Sequence, residues 1–166
     1  MLRILLIGLA ALTVSACQGK AQPAVPDQSA ASAAFMANNA KQPGVVSLPS
    51  GLQYKIVKSG PATGGKPQLQ DEVKVNYEGK LITGKVFDSS YDRGQPASMP
   101  LERLVPAWQE ALQLMRPGDE WILYVPPKLG YGPEGAGDGE IPGGAALIFR
   151  IELIDFLPGP GRVQQG

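Results

Sequence analysis

Beyond residue 47, hydrophobic and polar positions alternate in short runs that are typical of strands. Residues 73–77 alternate strictly, so Val73, Val75 and Tyr77 share one face of a predicted strand. Further runs over residues 52–57, 120–125 and 146–153 are rich in branched and aromatic side chains. We therefore predict a sheet of about four to six strands.

One segment instead repeats its apolar residues every three or four positions, which is the spacing of an amphipathic helix. The repeating residues are Leu101, Leu104, Val105, Trp108, Ala111, Leu112 and Met115. Proline is favoured at a first helical position, so we predict a helix from Pro106 to about Leu114, ending before Pro117. The fold class predicted is α+β: a curved antiparallel sheet of about five strands wrapped around one short helix.

The N-terminus carries the pattern of an export signal. Arg3 precedes an apolar run over residues 4–12 that is too short to cross a bilayer. The residues Val14-Ser15-Ala16-Cys17 follow and resemble a bacterial lipobox, at which cleavage leaves the cysteine as a lipid-carrying N-terminus. Ordinary secretory cleavage after Ala16, with Cys17 incidental, is the alternative.

Composition divides the chain into four segments. We expect a lipoprotein signal peptide over residues 1–16, an Ala/Pro-rich tether over 17–46, a folded domain over 47–157 and a disordered tail over 158–166. The tether has few branched apolar residues with which to form a core. Residues 30–39 could form one short helix, but only Phe35 and Met36 offer apolar bulk, so a stable helix is not expected.

The charge balance and the missing histidine exclude several kinds of function. Fifteen Lys and Arg residues match 15 Asp and Glu residues, which argues against a basic surface for nucleic acid. With no His and 1 Cys, the chain cannot form a Ser-His-Asp or Cys-His nucleophile, an imidazole zinc site or an internal disulfide framework.

Two glycine motifs look like phosphate-binding loops. Residues 60–67 fit GxxxxGK and residues 130–135 fit GxGxxG, but neither is followed by a helical pattern. Without a helix N-terminus behind it, such a loop lacks the dipole and the amides that hold a phosphate. We therefore interpret both as plain loops, the second as a flexible flap, and expect no cofactor and no metal.

A set of short motifs between residues 50 and 156 follows one order. The motifs are VNYEG at 75–79, GKVFDSS at 84–90, LVPAW at 104–108, LGYG at 129–132, IP at 141–142 and LIF at 147–149. Together they resemble an FKBP-type peptidyl-prolyl cis-trans isomerase domain over nearly its whole length. The amino-acid sequence around residues 48–54 and 111–115 is most similar to the exported, macrophage-infectivity-potentiator-like bacterial branch of that family.

The resemblance implies a proline pocket made of aromatic and aliphatic side chains. Trp108 would be its floor, walled by Tyr77, Phe87, Val105, Ile141 and Phe149, with Leu104 beside Val105. For each aromatic residue taken alone, packing in the core is the alternative interpretation.

The resemblance also implies polar groups at the rim of that pocket. Asp88, Tyr131 and Phe87 are the expected catalytic residues, with the Tyr131 hydroxyl and the Ile141 N–H holding carbonyls of the ligand. Arg93 would support Asp88 and a pocket tyrosine. A purely structural turn carboxylate is the alternative role for Asp88.

The expected activity is isomerisation of X-Pro bonds in unfolded or exported proteins, without covalent catalysis. Macrolides are candidate ligands, and the alternative is a non-enzymatic, lipid-anchored holdase that uses the same groove. Gln18 after the cysteine implies an anchor at Cys17 in the outer membrane, facing the periplasm. We expect a monomer, because the tether leaves no room for the long helical region through which relatives dimerise.

Overall fold

The computed structural model describes residues 26–160, and within them it contains two α-helices, three short 3-10 helices and seven strands. The helices are α1 (Ser29–Asn39) and α2 (Pro106–Leu112). The strands are β1 (Val45–Ser47), β2 (Gln53–Lys58), β3 (Glu72–Leu81), β4 (Val86–Ser89), β5 (Ala97–Pro100), β6 (Glu120–Val125) and β7 (Leu147–Leu157). The predicted α+β class is confirmed, with three short strands, β1, β4 and β5, beyond the four runs that alternation identified.

All seven strands belong to one antiparallel sheet. Its order is β1-β2-β6-β7-β3-β4, and β5 pairs with β3 off this path. The long central pair β3 and β7 brings Tyr77 opposite Ile151 and Gly79 opposite Phe149. The chain therefore places residues from its middle and its end side by side at the centre of the sheet.

One face of the sheet, here called the inner face, carries the core. Val73, Val75 and Tyr77 are buried on β3 as the alternation predicted, and β7 buries every second residue from Leu147 to Leu153. Helix α2 packs its buried side, which includes Trp108 and Leu112, into the same apolar cluster. Apolar burial of this kind is the main favourable contribution to the free energy of folding.

Helix α2 begins and ends close to its predicted limits. Pro106 is its first residue, where the missing N–H of proline costs no helical hydrogen bond. The regular helix ends at Leu112, two residues before the predicted Leu114, and a turn leads to Gly118. Gly118 adopts φ +91°, a left-handed conformation that favours glycine, and its N–H donates to the Leu153 carbonyl at 2.7 Å.

The opposite face of the sheet, the outer face, carries α1, which the sequence did not predict as stable. The Ser32 hydroxyl donates to the Gly144 carbonyl and accepts the Ala146 N–H, both at 2.7 Å. Asn39 donates to the Gln53 side chain at 2.8 Å, and Phe35 lies near Tyr124, with ring centroids 6.1 Å apart. Residues 29–39 are therefore part of the folded unit, held by buried polar contacts that a count of apolar residues does not register.

The two ends of the chain were predicted as separate segments. The predicted signal peptide, which spans residues 1–16, lies outside the described residues, as do Cys17 and residues 161–166. Near the C-terminal limit, the Gly159 N–H donates to Asp71 at 2.9 Å, so the ordered chain continues past residue 157. None of the helices between residues 26 and 160 is long and apolar enough to cross a membrane.

Candidate functional site

Four aromatic rings meet edge to face on the inner side of the sheet. Trp108, at the start of α2, contacts Tyr77 at 5.1 Å and 83° and Phe149 at 5.3 Å and 90° between ring centroids and planes. Phe87 on β4 meets Phe149 at 5.7 Å and 87°. The edge-to-face arrangement is favourable for aromatic quadrupoles, so these rings hold one another in place.

Gly79 makes room for two of these rings. A Cβ atom at this position would lie 2.7 Å from the Phe149 ring and 2.8 Å from the Phe87 ring, closer than packed atoms approach. Gly79 and Phe149 are cross-strand partners, and Phe87 follows on the next strand. The missing side chain therefore allows the two rings to pack where they do.

The rings surround an open cavity of about 210 Å³. Its lining residues are Tyr77, Phe87, Asp88, Met99, Arg103, Leu104, Val105, Trp108, Tyr131 and Phe149. The structure thus brings together the residues that the sequence placed in a pocket, except Ile141, and adds Met99 and Arg103. The short alternation along β5 is a weak signal that could have identified Met99. No pattern in the sequence indicated that Arg103 would line this cavity.

A three-residue polar group lies at the rim. The Tyr77 hydroxyl donates to Asp88 Oδ2 at 2.5 Å, and Arg93 donates to Asp88 Oδ1 and, at 2.8 Å, to the Tyr77 hydroxyl. Burial opposes ionisation of Asp88, but the hydrogen bonds from Tyr77 and Arg93 outweigh it and lower the pKa of the carboxyl. Asp88 is therefore an ionised group committed to orienting its neighbours, and a poor proton donor.

Tyr131 also lines the cavity. Burial, together with the negative charge of Asp88, raises the pKa of Tyr131, so the hydroxyl keeps its proton at neutral pH. Among residues 26–160 the hydroxyl has no hydrogen-bond partner, and the residue is 39% exposed. The group can therefore donate to an incoming ligand.

Ile141 does not take the part expected of it. Its N–H donates to the Ala136 carbonyl at 3.0 Å, and the Ala136 N–H returns a bond of 2.9 Å to the Ile141 carbonyl. Gly135 fits beside this pair because a Cβ there would lie 2.1 Å from the Ile141 oxygen. The expectation that the Ile141 amide holds a ligand carbonyl is wrong for this structure, because that amide is already bonded within the loop.

A different amide is available at the cavity wall. The Val105 carbonyl accepts from the Trp108 N–H at 2.9 Å, as the residue before a helix does, whereas the Val105 N–H has no acceptor in the described part of the chain. Val105 lines the cavity. The sequence signal for this group is Pro106, which marks the start of α2 and leaves the preceding amide outside the helical bonding pattern.

The site offers a ligand apolar surface and hydrogen-bond donors, without a metal-binding group. In residues 26–160 no three Asp, Glu, His or Cys side chains are close enough to hold an ion. An amide can be desolvated between the rings while its neighbouring carbonyls accept bonds from Tyr131 and Val105. Such a cavity suits a proline-sized ring next to a peptide backbone.

Comparison with known proteins gives matches over both halves of the chain. Residues 64–154 match the model of the FKBP-type peptidyl-prolyl cis-trans isomerase family, and residues 9–56 match the domain described as amino terminal to FKBP-type peptidyl-prolyl isomerase. Peptidyl-prolyl cis-trans isomerase Mip of Coxiella burnetii is 54% identical over 123 residues, or 74% of this chain and 52% of that protein. Outer membrane protein MIP of Legionella longbeachae is 50% identical over 121 residues, or 73% and 51%.

Solved structures give the same result for the fold. FkpA from Escherichia coli has a TM-score of 0.74 at 40% identity, covering 79% of this chain and 60% of that one. A peptidyl-prolyl cis-trans isomerase of Pseudomonas syringae has a TM-score of 0.72 at 38% identity, covering 78% and 93%. The chain spans about half the length of the curated relatives it matches.

Proposed function

The chain belongs to the FKBP-type peptidyl-prolyl cis-trans isomerase family, and on that premise we propose that it isomerises X-Pro bonds of unfolded or exported proteins. The observation that carries the proposal is the cavity of about 210 Å³ between Trp108, Tyr77 and Phe149. The Coxiella and Pseudomonas relatives are named as isomerases, and neither name supports the rival function, a holdase without catalysis.

Catalysis in such a cavity follows from the electronic structure of the amide. Twisting an X-Pro bond interrupts resonance, and the barrier is about 18–20 kcal/mol. The planar amide carries charge shifted from nitrogen to oxygen, whereas the twisted form has lost most of it. A site that replaces water by aromatic rings therefore disfavours the planar form relative to the transition state.

Two donors would hold the substrate backbone while the bond turns. We assign the Tyr131 hydroxyl and the Val105 N–H to the carbonyls that flank the proline ring, in place of the Ile141 amide. Phe87 completes the apolar wall, and Asp88 with Arg93 fixes the Tyr77 ring beside the floor. The reaction makes no covalent bond, so these positioning and desolvating groups are sufficient.

The test is the rate at which a chromogenic X-Pro peptide relaxes from cis to trans. We expect the purified chain to accelerate it, and Phe87→Ala, Asp88→Ala or Tyr131→Phe to lower kcat/KM by about tenfold, the effect of one lost contact of roughly 1.4 kcal/mol. Tyr91→Phe is the matched control, because this half-exposed tyrosine does not line the cavity. Equal relaxation rates with and without the protein would exclude the activity.

We propose, as a separate point, that the protein acts in the cell envelope, anchored by a lipid at Cys17. The export pattern of residues 1–16 supports this, and the Legionella relative is named an outer membrane protein. Metabolic labelling with radioactive palmitate should mark the full chain and fail to mark Cys17→Ser. Fractionation of inner and outer membranes then determines which of them holds the anchor.

Two smaller proposals concern ligands and assembly. A macrolide that fills the cavity should inhibit isomerisation, and it should lose affinity for Phe87→Ala. The mature chain should sediment as a monomer. A tight dimer in that experiment would contradict the monomer proposal but leave the activity untouched.

A further inference from the structure

Arg103 is a charged residue at the cavity that the mechanism above does not use. It lies at the end of a short 3-10 helix, Leu101–Arg103, and its exposed side chain lines the cavity beside Leu104 and Val105. In the described part of the chain the guanidinium has neither an ion-pair partner nor a hydrogen-bond partner; the ion pairs there use Lys80, Arg93 and Arg150. Its donors are therefore available to a ligand.

The backbone around Arg103 is held on both sides. The Gln109 side-chain amide donates to the Glu102 carbonyl at 3.0 Å and to the Leu104 carbonyl at 2.8 Å. The Leu104 N–H closes the 3-10 turn on the Leu101 carbonyl at 3.1 Å. Because the main chain is fixed on either side, the Arg103 side chain extends from a defined point on the rim. Binding a partner therefore costs less conformational entropy than it would from a mobile loop.

The balance of charge at the cavity favours a negative partner. Among residues 26–160, two charged side chains line it, Asp88 and Arg103. The Asp88 carboxylate is committed to Arg93 and to the Tyr77 hydroxyl, so its charge is already compensated. What remains for a bound peptide is the uncompensated positive charge of Arg103. The planar N–H donors of its guanidinium match the two oxygens of a carboxylate.

We propose that Arg103 determines substrate specificity and selects X-Pro segments with an Asp or Glu residue next to the proline. The inference rests on the proposed isomerase function. Val105, whose N–H would hold a substrate carbonyl, is two residues from Arg103 in the chain. Neighbouring residues of an extended peptide are about 3.3–3.6 Å apart, so a side chain flanking the proline can reach the guanidinium.

The experiment measures kcat/KM by exchange NMR on acetylated, amidated peptides that carry Glu, Gln or Lys before or after the proline. We expect the wild-type chain to prefer Glu over Lys about two- to fivefold at low salt, the range of an exposed ion pair, and less at high salt. Arg103→Gln should remove this preference, and Arg103→Glu should reverse it. Lys55→Gln, which removes an exposed positive charge from β2, should keep the wild-type ratio.

The two hypotheses fail in different ways. If the Gln peptide is isomerised but the Glu to Lys ratio is the same in wild type and Arg103→Gln, the role of Arg103 is excluded and the activity stands. A preference that Arg103→Glu does not reverse also excludes it. If no peptide is isomerised by the wild-type chain, the proposed function itself fails.

Discussion

The inner and outer faces of the same sheet hold their helices by different forces. Helix α2 contributes Trp108 and Leu112 to an apolar cluster, and its position follows from the area buried. Helix α1 is fixed on the outer face by the buried polar residues Ser32 and Asn39, with Met36 as its buried apolar residue. Both helices are short, so neither would be stable without the sheet.

The difference has a consequence for function. On the inner face, the residues that make the core also make the cavity, so a change to the site is also a change to the packing. Helix α1 forms hydrogen bonds with Gln53, Gly144 and Ala146, and none of these three residues lines the cavity. Helix α1, here called the arm, can therefore be loosened while the pocket stays as it is.

The largest expected effect comes from filling the gap at Gly79. Gly79→Ala places a methyl group 2.7 Å from the Phe149 ring and 2.8 Å from the Phe87 ring, so both rings must move. We expect a loss of about 1–3 kcal/mol in the free energy of unfolding, measured by urea titration, and at least a tenfold loss of kcat/KM. In Gly65→Ala the new methyl meets only the tip of Phe156, at 3.2 Å, and activity should be retained.

Ser32→Ala addresses the outer face alone. It leaves the buried Ala146 N–H and the Gly144 carbonyl without their hydroxyl partner, at a cost of about 1–3 kcal/mol. We expect faster amide hydrogen exchange in residues 29–39, with exchange at Tyr77 and Phe149 and the isomerisation rate unchanged. A parallel loss of activity would show that arm and pocket are coupled, and would remove the distinction between the two faces.

Two neighbouring asparagines on α1 provide a matched pair of smaller effect. Asn39 is buried and donates to the Gln53 side chain at 2.8 Å, whereas Asn38 is exposed. We expect Asn39→Ala to lower the free energy of unfolding of the arm by about 1 kcal/mol. Asn38→Ala should change it by less than about 0.5 kcal/mol. The measurement is amide hydrogen exchange in residues 29–39, and equal exchange rates in the two variants would refute the role of the buried contact.

The smallest effect concerns pH. With no histidine in the chain, the rate should be flat between about pH 5 and 8. The hydrogen bonds from Tyr77 and Arg93 lower the pKa of Asp88 in the folded state. Its ionised form therefore stabilises the fold at pH values above the ordinary pKa of about 3.9. That stabilisation is lost as the pH falls through the lower pKa of the folded state. Because the Arg93 and Asp88 side chains are 46% and 42% exposed, solvent screens their charges and the effect on stability is small.

The pH profile of Asp88→Asn is the check on that assignment. Its rate should be low already at pH 7 and should lack the acid limb of the wild-type curve. Chemical shifts of the Asp88 carboxyl carbon report the titration directly. A wild-type decline that begins near pH 6 would contradict a lowered pKa for this group.

Much of the inner face could be predicted because its information is local. Alternation identified Val73, Val75 and Tyr77 as one buried face, and Pro106 marked the start of the helix. The cavity residues were predicted from the order of family motifs. That order indicates which distant strands lie close together, whereas periodicity describes only a single strand or helix. Three short strands were missed because β1, β4 and β5 have three or four residues each, too few for a period to be visible.

By itself, the sequence indicated the class of chemistry and located the elements that carry the candidate site. The absence of histidine and the aromatic motifs favour a reaction without proton transfer or covalent bonds, and Pro106 places Trp108 at the start of a helix. Only the tertiary structure decided which amide is free, that of Val105 instead of Ile141, and which cation faces the cavity. It also fixed α1, through a bond between Ser32 and Gly144, 112 residues apart. The physical reason is that hydropathy periods record the environment of each residue along one element, whereas hydrogen-bond partners and free donors are set by how distant elements meet.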